Sequence, residues 1–315
     1  MSQPATHDWR SGVIAGVVTP FGPDGTVDAG SLAAHLRYLA AAGVSGIVVN
    51  ADTGEGPQLD QQERETVLGI AVKEVGADVA VLVGLIASHT ATAVASARRA
   101  EAAGAVALQV FPPAVFLGCP LDPGLVAGYY EAIGASVGIP LVAYRPPTTL
   151  GYGIDTAVIR RLASIEAVVA IKESSFDVDA YRDTAVALRP YRPRVALLSG
   201  ADTFVRESLR IGADGLMLAV AAFAPDRWVA LARDTGLDPP ASDDPYADLS
   251  SLAAAVFRPP FRDFRARLKA LLVHAGVIAD GRVRPPLMPI GQRETTELHR
   301  LADHLSSIHR GEQPG

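Results

Sequence analysis

Eight short apolar runs recur along the chain, and they restrict its fold more than any other feature. They are Val13–Val18, Gly46–Asn50, Val79–Leu85, Ala107–Phe111, Leu141–Tyr144, Val168–Lys172, Val195–Ser199 and Gly215–Ala219. Most are continuous stretches of Val, Ile, Leu and Ala rather than alternations of apolar with polar. That is the pattern of strands covered on both faces of a parallel sheet. Between them lie segments striped with Glu, Asp and Arg on one side: Ser31–Ala42, Gln61–Val75, Thr90–Ala103, Ile154–Ala163 and Asp179–Leu188. Such a stripe marks a helix with one face in solvent. Gly43, Gly76, Gly104 and Gly212 each follow a helical stretch and precede a strand, as C-terminal caps do. A strand–helix unit returning about every 30 residues, eight times, predicts an α/β chain folded as a (β/α)8 TIM barrel. A doubly wound open sheet would carry a glycine-rich phosphate turn after its first strand. Here that position is Thr19-Pro20-Phe21.

The pattern changes near residue 235. Leu237 to Asp248 holds three prolines and four aspartates with almost nothing to bury. The expected organisation is a barrel over 1–235, an inserted acidic, proline-rich loop over 236–257, and C-terminal helices over 258–315 packed on the barrel. Two helices are expected in that extension, about Pro260–Ala275 and Glu294–Ser307, separated by the turn Arg284-Pro285-Pro286. The net charge of −6 argues against a nucleic-acid partner, which needs a basic face. Cys119 is the one cysteine, so no intramolecular disulfide forms, and a reducing cytoplasm is the expected location. Met1 to Arg10 has no apolar core of a signal peptide. Val79 to Ala97 is weakly charged, but Gly84, Ser88, His89, Thr90 and Thr92 split it into strand, turn and helix, so no membrane span is expected.

Of 28 basic residues, three are lysines: Lys73, Lys172 and Lys269. Lys73 and Lys269 fall in amphipathic helices and ask for no special role. Lys172 ends the run Val168-Val169-Ala170-Ile171, at the carboxyl end of a buried strand, where barrel enzymes hold their chemistry. Against an apolar wall an ammonium loses hydration, its pKa falls, and the free amine is available to attack a carbonyl. The plainer reading is an ion pair with Glu173 or Asp52. Tyr144 ends the preceding strand at the equivalent position. Its phenol suits proton transfer beside an amine, although a buried tyrosine with a satisfied hydroxyl is common.

These residues resemble those of the dihydrodipicolinate synthase / N-acetylneuraminate lyase family of class I aldolases, from about Val13 to Pro289. Val18-Thr19-Pro20-Phe21 with Asp24-Gly25 is similar to the family's first strand and turn. Ala51-Asp52-Thr53-Gly54-Glu55 resembles the loop that binds the keto-acid carboxylate. Leu141-Val142-Ala143-Tyr144 with Pro147 resembles the catalytic-tyrosine segment, Ile171-Lys172-Glu173 the Schiff-base motif, and Leu198-Ser199-Gly200 the turn after strand seven. The resemblance implies that Lys172 forms a Schiff base with pyruvate or another 2-keto acid while Tyr144 moves the proton. It puts Asp52, Thr53, Arg145, Thr149, Gly200 and Met217 at the substrate. It further implies a homo-oligomer, a tetramer or a dimer, with a small-molecule 2-keto acid as partner and no cofactor or metal.

Three departures from the family pattern bear on the substrate. Asp52 replaces the first threonine of the loop, and it acts either as a general base or as a structural partner of Lys172 or Arg145. Pro112-Pro113-Ala114 lacks the tyrosine that in relatives reaches the neighbouring subunit's site. Thr149 replaces an arginine that grips the incoming aldehyde's carboxylate, with Arg145 nearby in sequence. Losing a charge-assisted contact weakens the case for aspartate semialdehyde. A 2-keto-3-deoxy sugar acid or another hydroxylated keto acid is the preferred expectation. The alternatives are 4-hydroxy-tetrahydrodipicolinate synthase proper and a non-catalytic keto-acid binder. His299, His304 and His309 step by five, about 140° apart around a helix, and read as surface residues. Ser199-Gly200-Ala201 and Leu218-Ala219-Val220 are too poor in glycine for a phosphate site.

Overall fold

The eight apolar runs form β1 (Val13–Gly16), β2 (Gly46–Val49), β3 (Ala80–Leu85), β4 (Ala107–Val110), β5 (Leu141–Arg145), β6 (Val168–Glu173), β7 (Ala196–Ser199) and β8 (Gly215–Leu218). In the computed structural model, which describes residues 8–118, 120–234 and 244–309, they close into a parallel barrel, each strand pairing with the next and β8 with β1. Nearly every strand residue is buried because helices cover the outside and side chains fill the inside. Ile14, Val48, Leu82, Ala107, Val142, Ala170, Leu198 and Met217 pack together in the lumen. Their neighbours along each strand point outward into the helix layer, since successive side chains alternate faces.

That layer consists of α1 (Ala29–Ala41), α2 (Gln61–Val75), α3 (Thr90–Ala102), α4 (Pro123–Gly134), α5 (Thr156–Ala163), α6 (Val178–Leu188), α7 (Val205–Ile211) and α8 (Pro225–Arg233). Local chemistry fixes several of its starts. Asp60 and Glu63 form a capping box on α2, and the Asp28, Asp155 and Asp177 carboxylates accept amide N–H bonds at the first turns of α1, α5 and α6. Of the glycines expected as caps, Gly43, Gly104 and Gly212 have positive φ, whereas Gly76 ends α2 with ordinary right-handed geometry.

Three helices follow: α9 (Ala247–Phe257), α10 (Phe264–His274) and α11 (Gln292–His309). The loop expected over 236–257 is therefore corrected. From Ala247 onward the chain is helical because Leu249, Leu252, Ala253 and Val256 recur on one face and are buried. The part over 235–243, and Cys119, lie outside the described residues. Two smaller readings also change. Lys269, for which its amphipathic helix asked no special role, is fully buried, and His299 is half-buried rather than a surface residue, its ring stacked on His274 at 4.0 Å. Among the described residues no helix is long and apolar enough to cross a membrane.

The extension touches loops that leave the carboxyl ends of the strands. Phe257, Phe261 and Phe264 cluster with Phe176, which follows β6, at ring separations of 5.3 to 5.5 Å. The Lys269 ammonium lies 4.3 Å from the Phe21 ring, just past β1, and pairs with Glu55, just past β2. The Glu55 carboxylate also accepts the Arg284 backbone N–H at 2.7 Å. These contacts hold the C-terminal layer beside the barrel mouth.

Candidate active site

Tyr144 and Lys172 are direct neighbours across the β5–β6 pairing, at the carboxyl ends of both strands. Both face the lumen. The Lys172 ammonium nitrogen lies 5.1 Å from the centre of the Tyr144 ring, and the Phe111 ring packs against that ring, tilted, at 4.6 Å. The next residue on each strand points the opposite way, and this corrects two expectations. Glu173 cannot pair with Lys172. It is fully buried behind the strand, where its carboxylate accepts bonds from Arg145, Thr184 and the Ser175 amide. Arg145 joins that cluster and donates to the Ala180 carbonyl and Thr184. It is a structural group under α6 rather than a substrate ligand, because one step along a strand exchanges lumen for outer layer.

Gly200 lines the lysine. A Cβ there would sit 2.7 Å from Lys172 Cε and 2.0 Å from the Ser174 hydroxyl, so a side chain would displace the amine. Its N–H donates to the Glu173 carbonyl at 2.8 Å, which fixes the turn. Met217 has no exposed surface and packs with Ile14 and Val48, so it belongs to the lumen floor and not to the substrate-contacting set.

Asp52, Thr53 and Gly54 form a 3-10 turn directly after β2, bracketed by left-handed Asn50 and Glu55. The Thr19 hydroxyl donates to the Gly54 carbonyl at 2.7 Å and ties the turn to β1. Thr53 is buried against Gly16. Asp52 is partly exposed, and its partner is neither Lys172 nor Arg145. Arg265 of α10 reaches it, with Nη2 3.2 Å from a carboxylate oxygen and Nε donating to the Asp52 carbonyl at 2.6 Å. Thr149 lies exposed on the turn Thr148–Leu150, and Ala114 is exposed on the turn after β4.

Charge at the site follows from burial. Burial pushes the Lys172 ammonium toward the free amine, opposed by the carboxylates of Asp202 and Asp52. The Tyr144 phenol is raised well above its ordinary value by burial and by the same carboxylates, against the Ser174 hydroxyl and the Arg265 guanidinium. It therefore stays a phenol at neutral pH. Asp202, buried after β7, is pushed up to about 6 by desolvation, while a 2.8 Å bond from the Val220 N–H and the nearby lysine hold it down.

Asp202, Ser174, Arg265 and Tyr152 escaped the sequence reading. Asp202 stood two residues beyond Ser199-Gly200, and Ser174 shares the inward parity of Lys172, so both were within reach. Arg265 is 213 residues from Asp52 and had no local signal. Tyr152 is half-buried, and burial and the Asp52 charge both raise its phenol.

A model of the Dihydrodipicolinate synthetase family matches residues 10–305. The chain is 35% identical over 304 residues to a 4-hydroxy-tetrahydrodipicolinate synthase of Xanthomonas campestris, covering 95% of each protein. It is 32% identical over 295 residues to an uncharacterized DapA-like lyase of Halobacterium salinarum, covering 93% of each. The crystal structure of a dihydrodipicolinate synthase from Thermotoga maritima is similar with a TM-score of 0.84 at 27% identity, over 95% of this chain and 99% of that one.

Proposed function

Because the chain belongs to the dihydrodipicolinate synthetase family and is a lyase of that family, we propose that it joins or separates a 2-keto acid and an aldehyde through a Schiff base on Lys172. The pairing of Lys172 with Tyr144 at the lumen mouth carries this reading: an amine freed by desolvation beside a phenol kept protonated. The amine condenses with the ketone of pyruvate and releases water. The iminium draws electrons, a methyl proton leaves, and the resulting enamine carbon attacks the aldehyde carbon. The aldehyde oxygen takes a proton, for which Tyr144 is the nearest phenol, with Ser174 beside it. Water then hydrolyses the iminium, restoring the amine and releasing a 4-hydroxy-2-keto acid; cleavage runs the same steps backward. Thr53 and the first amides of its 3-10 turn, which have no acceptor within the turn, suit the keto-acid carboxylate.

The preferred second component is a hydroxylated aldehyde, so that the product is a 2-keto-3-deoxy sugar acid. The name of the Xanthomonas relative favours aspartate semialdehyde as the second reading. The proposed form is a homo-oligomer, dimer or tetramer. Leu117 and Leu150 are exposed on adjacent rim turns, joined where the Gly118 N–H donates to the Gly151 carbonyl. The proposed setting is the cytoplasm, consistent with one cysteine in 315 residues.

The test is borohydride reduction in the presence of pyruvate, read by peptide mass spectrometry. A reduced adduct on Lys172 is expected, absent in Lys172→Ala. Tyr144→Phe should still form the adduct while losing about 10²- to 10⁴-fold in turnover, the usual weight of a proton-transfer group. A folded protein with no adduct overturns the proposal.

A further inference from the structure

The Asp52–Arg265 pair spans two layers of the molecule, at the same carboxyl-end rim of the barrel that carries Tyr144 and Lys172. Asp52 leaves the end of β2, and its charge is felt at Lys172, Tyr144 and Tyr152. Arg265 comes from α10, and its charge is felt at Tyr144. The guanidinium is immobilised on three sides: it lies 4.5 Å from the Phe264 ring, donates from Nε to the Asp52 carbonyl, and donates from Nη1 to the Arg262 carbonyl at 3.3 Å. Nη2 completes the set by pairing with the Asp52 carboxylate.

The two partners differ in how they meet solvent. The Asp52 side chain is 41% exposed and that of Arg265 is 12%. An approaching ligand thus encounters the carboxylate before the guanidinium, and the cation behind it is already neutralised. An anionic group arriving there must either displace Asp52 from Arg265 or stand beside a like charge. A hydroxyl group meets neither cost. A carboxylate accepts from alcohols, a guanidinium has N–H groups to spare on both terminal nitrogens, and the Tyr152 phenol both donates and accepts.

We propose that Asp52 and Arg265 are the specificity-determining pair for the second substrate, admitting an uncharged, hydroxylated aldehyde and rejecting an anionic one. The proposal rests on the Lys172 reading and assigns to two residues the choice of acceptor that the reading prefers. Asp52 acts as the selecting charge. Arg265 is a positioning residue that holds this carboxylate at the mouth and balances its charge.

The experiment compares kcat/KM for glyceraldehyde and for succinic semialdehyde, each with pyruvate, in the wild-type protein and two variants. The wild type should prefer glyceraldehyde. Asp52→Asn uncovers the guanidinium and should move the ratio at least about 10-fold toward succinic semialdehyde, the scale of one charge-assisted contact. Arg265→Gln leaves the carboxylate unopposed and should move the ratio the other way, through KM for the anionic aldehyde. A merely structural pair would lower both aldehydes together and leave the ratio fixed. A wild type that uses only the anionic aldehyde, or neither, overturns the proposal, as does an unchanged ratio in either folded variant. Borohydride trapping with pyruvate is run on every sample: an adduct with a wrong ratio sinks this inference alone, and no adduct in the wild type sinks the Lys172 reading beneath it.

Discussion

At the residue scale, the site depends on how burial divides protons between neighbours. Lys172 is driven toward its free amine by desolvation, while Asp202 and Asp52 pull it back toward the ammonium. Asp202, pushed up to about 6, is charged above that pH and neutral below it. Its negative charge favours the protonated lysine, so Asp202→Asn should lower the lysine's pKa further. Imine formation rises with pH as the amine is freed, and in Asp202→Asn that rise should move to lower pH. Any limb near pH 6 in the wild-type profile should vanish. The check is the pH dependence of the borohydride-trapping rate with pyruvate; superimposable profiles would assign Asp202 no part in setting the amine. The strand-end positions of Lys172 and Tyr144 were legible, since each closes an apolar run, but their inward direction was not: both faces of these strands are apolar, and only the structure shows that the two share the lumen with Ala170 and Val142. The outward turn of Arg145 follows from the same alternation.

At the element scale, α10 is the unexpected contributor. Its Lys269 and the backbone of Arg284 satisfy the buried carboxylate of Glu55, the residue that ends the Asp52–Gly54 turn. Removing one partner of a buried pair strands the other charge, at a cost of about 3–5 kcal/mol. Lys269→Ala should lose stability of that order in urea unfolding, and replacing both residues with Lys269→Met and Glu55→Leu should recover most of it. A single-variant loss below about 0.5 kcal/mol, the scale of an ordinary surface change, would mean that the pair does not anchor the turn. The charge stripe on α10 gave no hint of this burial. The helix over Ala247–Phe257 was readable from its apolar spacing, but the acidic, proline-rich stretch before it drew the boundary too late.

At the scale of the whole molecule, the barrel mouth is bordered by apolar surface. Val115 is 74% exposed, and Leu117 and Leu150 are about half exposed beside it. Contiguous exposed apolar residues on a folded protein mark contact surfaces. Light scattering should report a dimer or tetramer for the wild type, and Leu117→Asp with Leu150→Asp should lower the assembly state while leaving pyruvate trapping on Lys172 in place. A monomeric wild type would refute the proposed assembly.

The sequence by itself determined the barrel, its eight strands, most of its helices and the strand-end positions of Lys172 and Tyr144. These are local properties: hydrophobic periodicity encodes which face of an element is buried, and a strand's length fixes where it ends. Only the tertiary structure decided the partners. Asp52 meets Arg265 across 213 residues, and Glu55 meets Lys269 across 214. Periodicity says that a charge faces inward or outward, not which opposite charge closes on it. That depends on how the C-terminal layer seats against the barrel, through the Phe176, Phe257, Phe261 and Phe264 cluster, and on the desolvation that seating imposes.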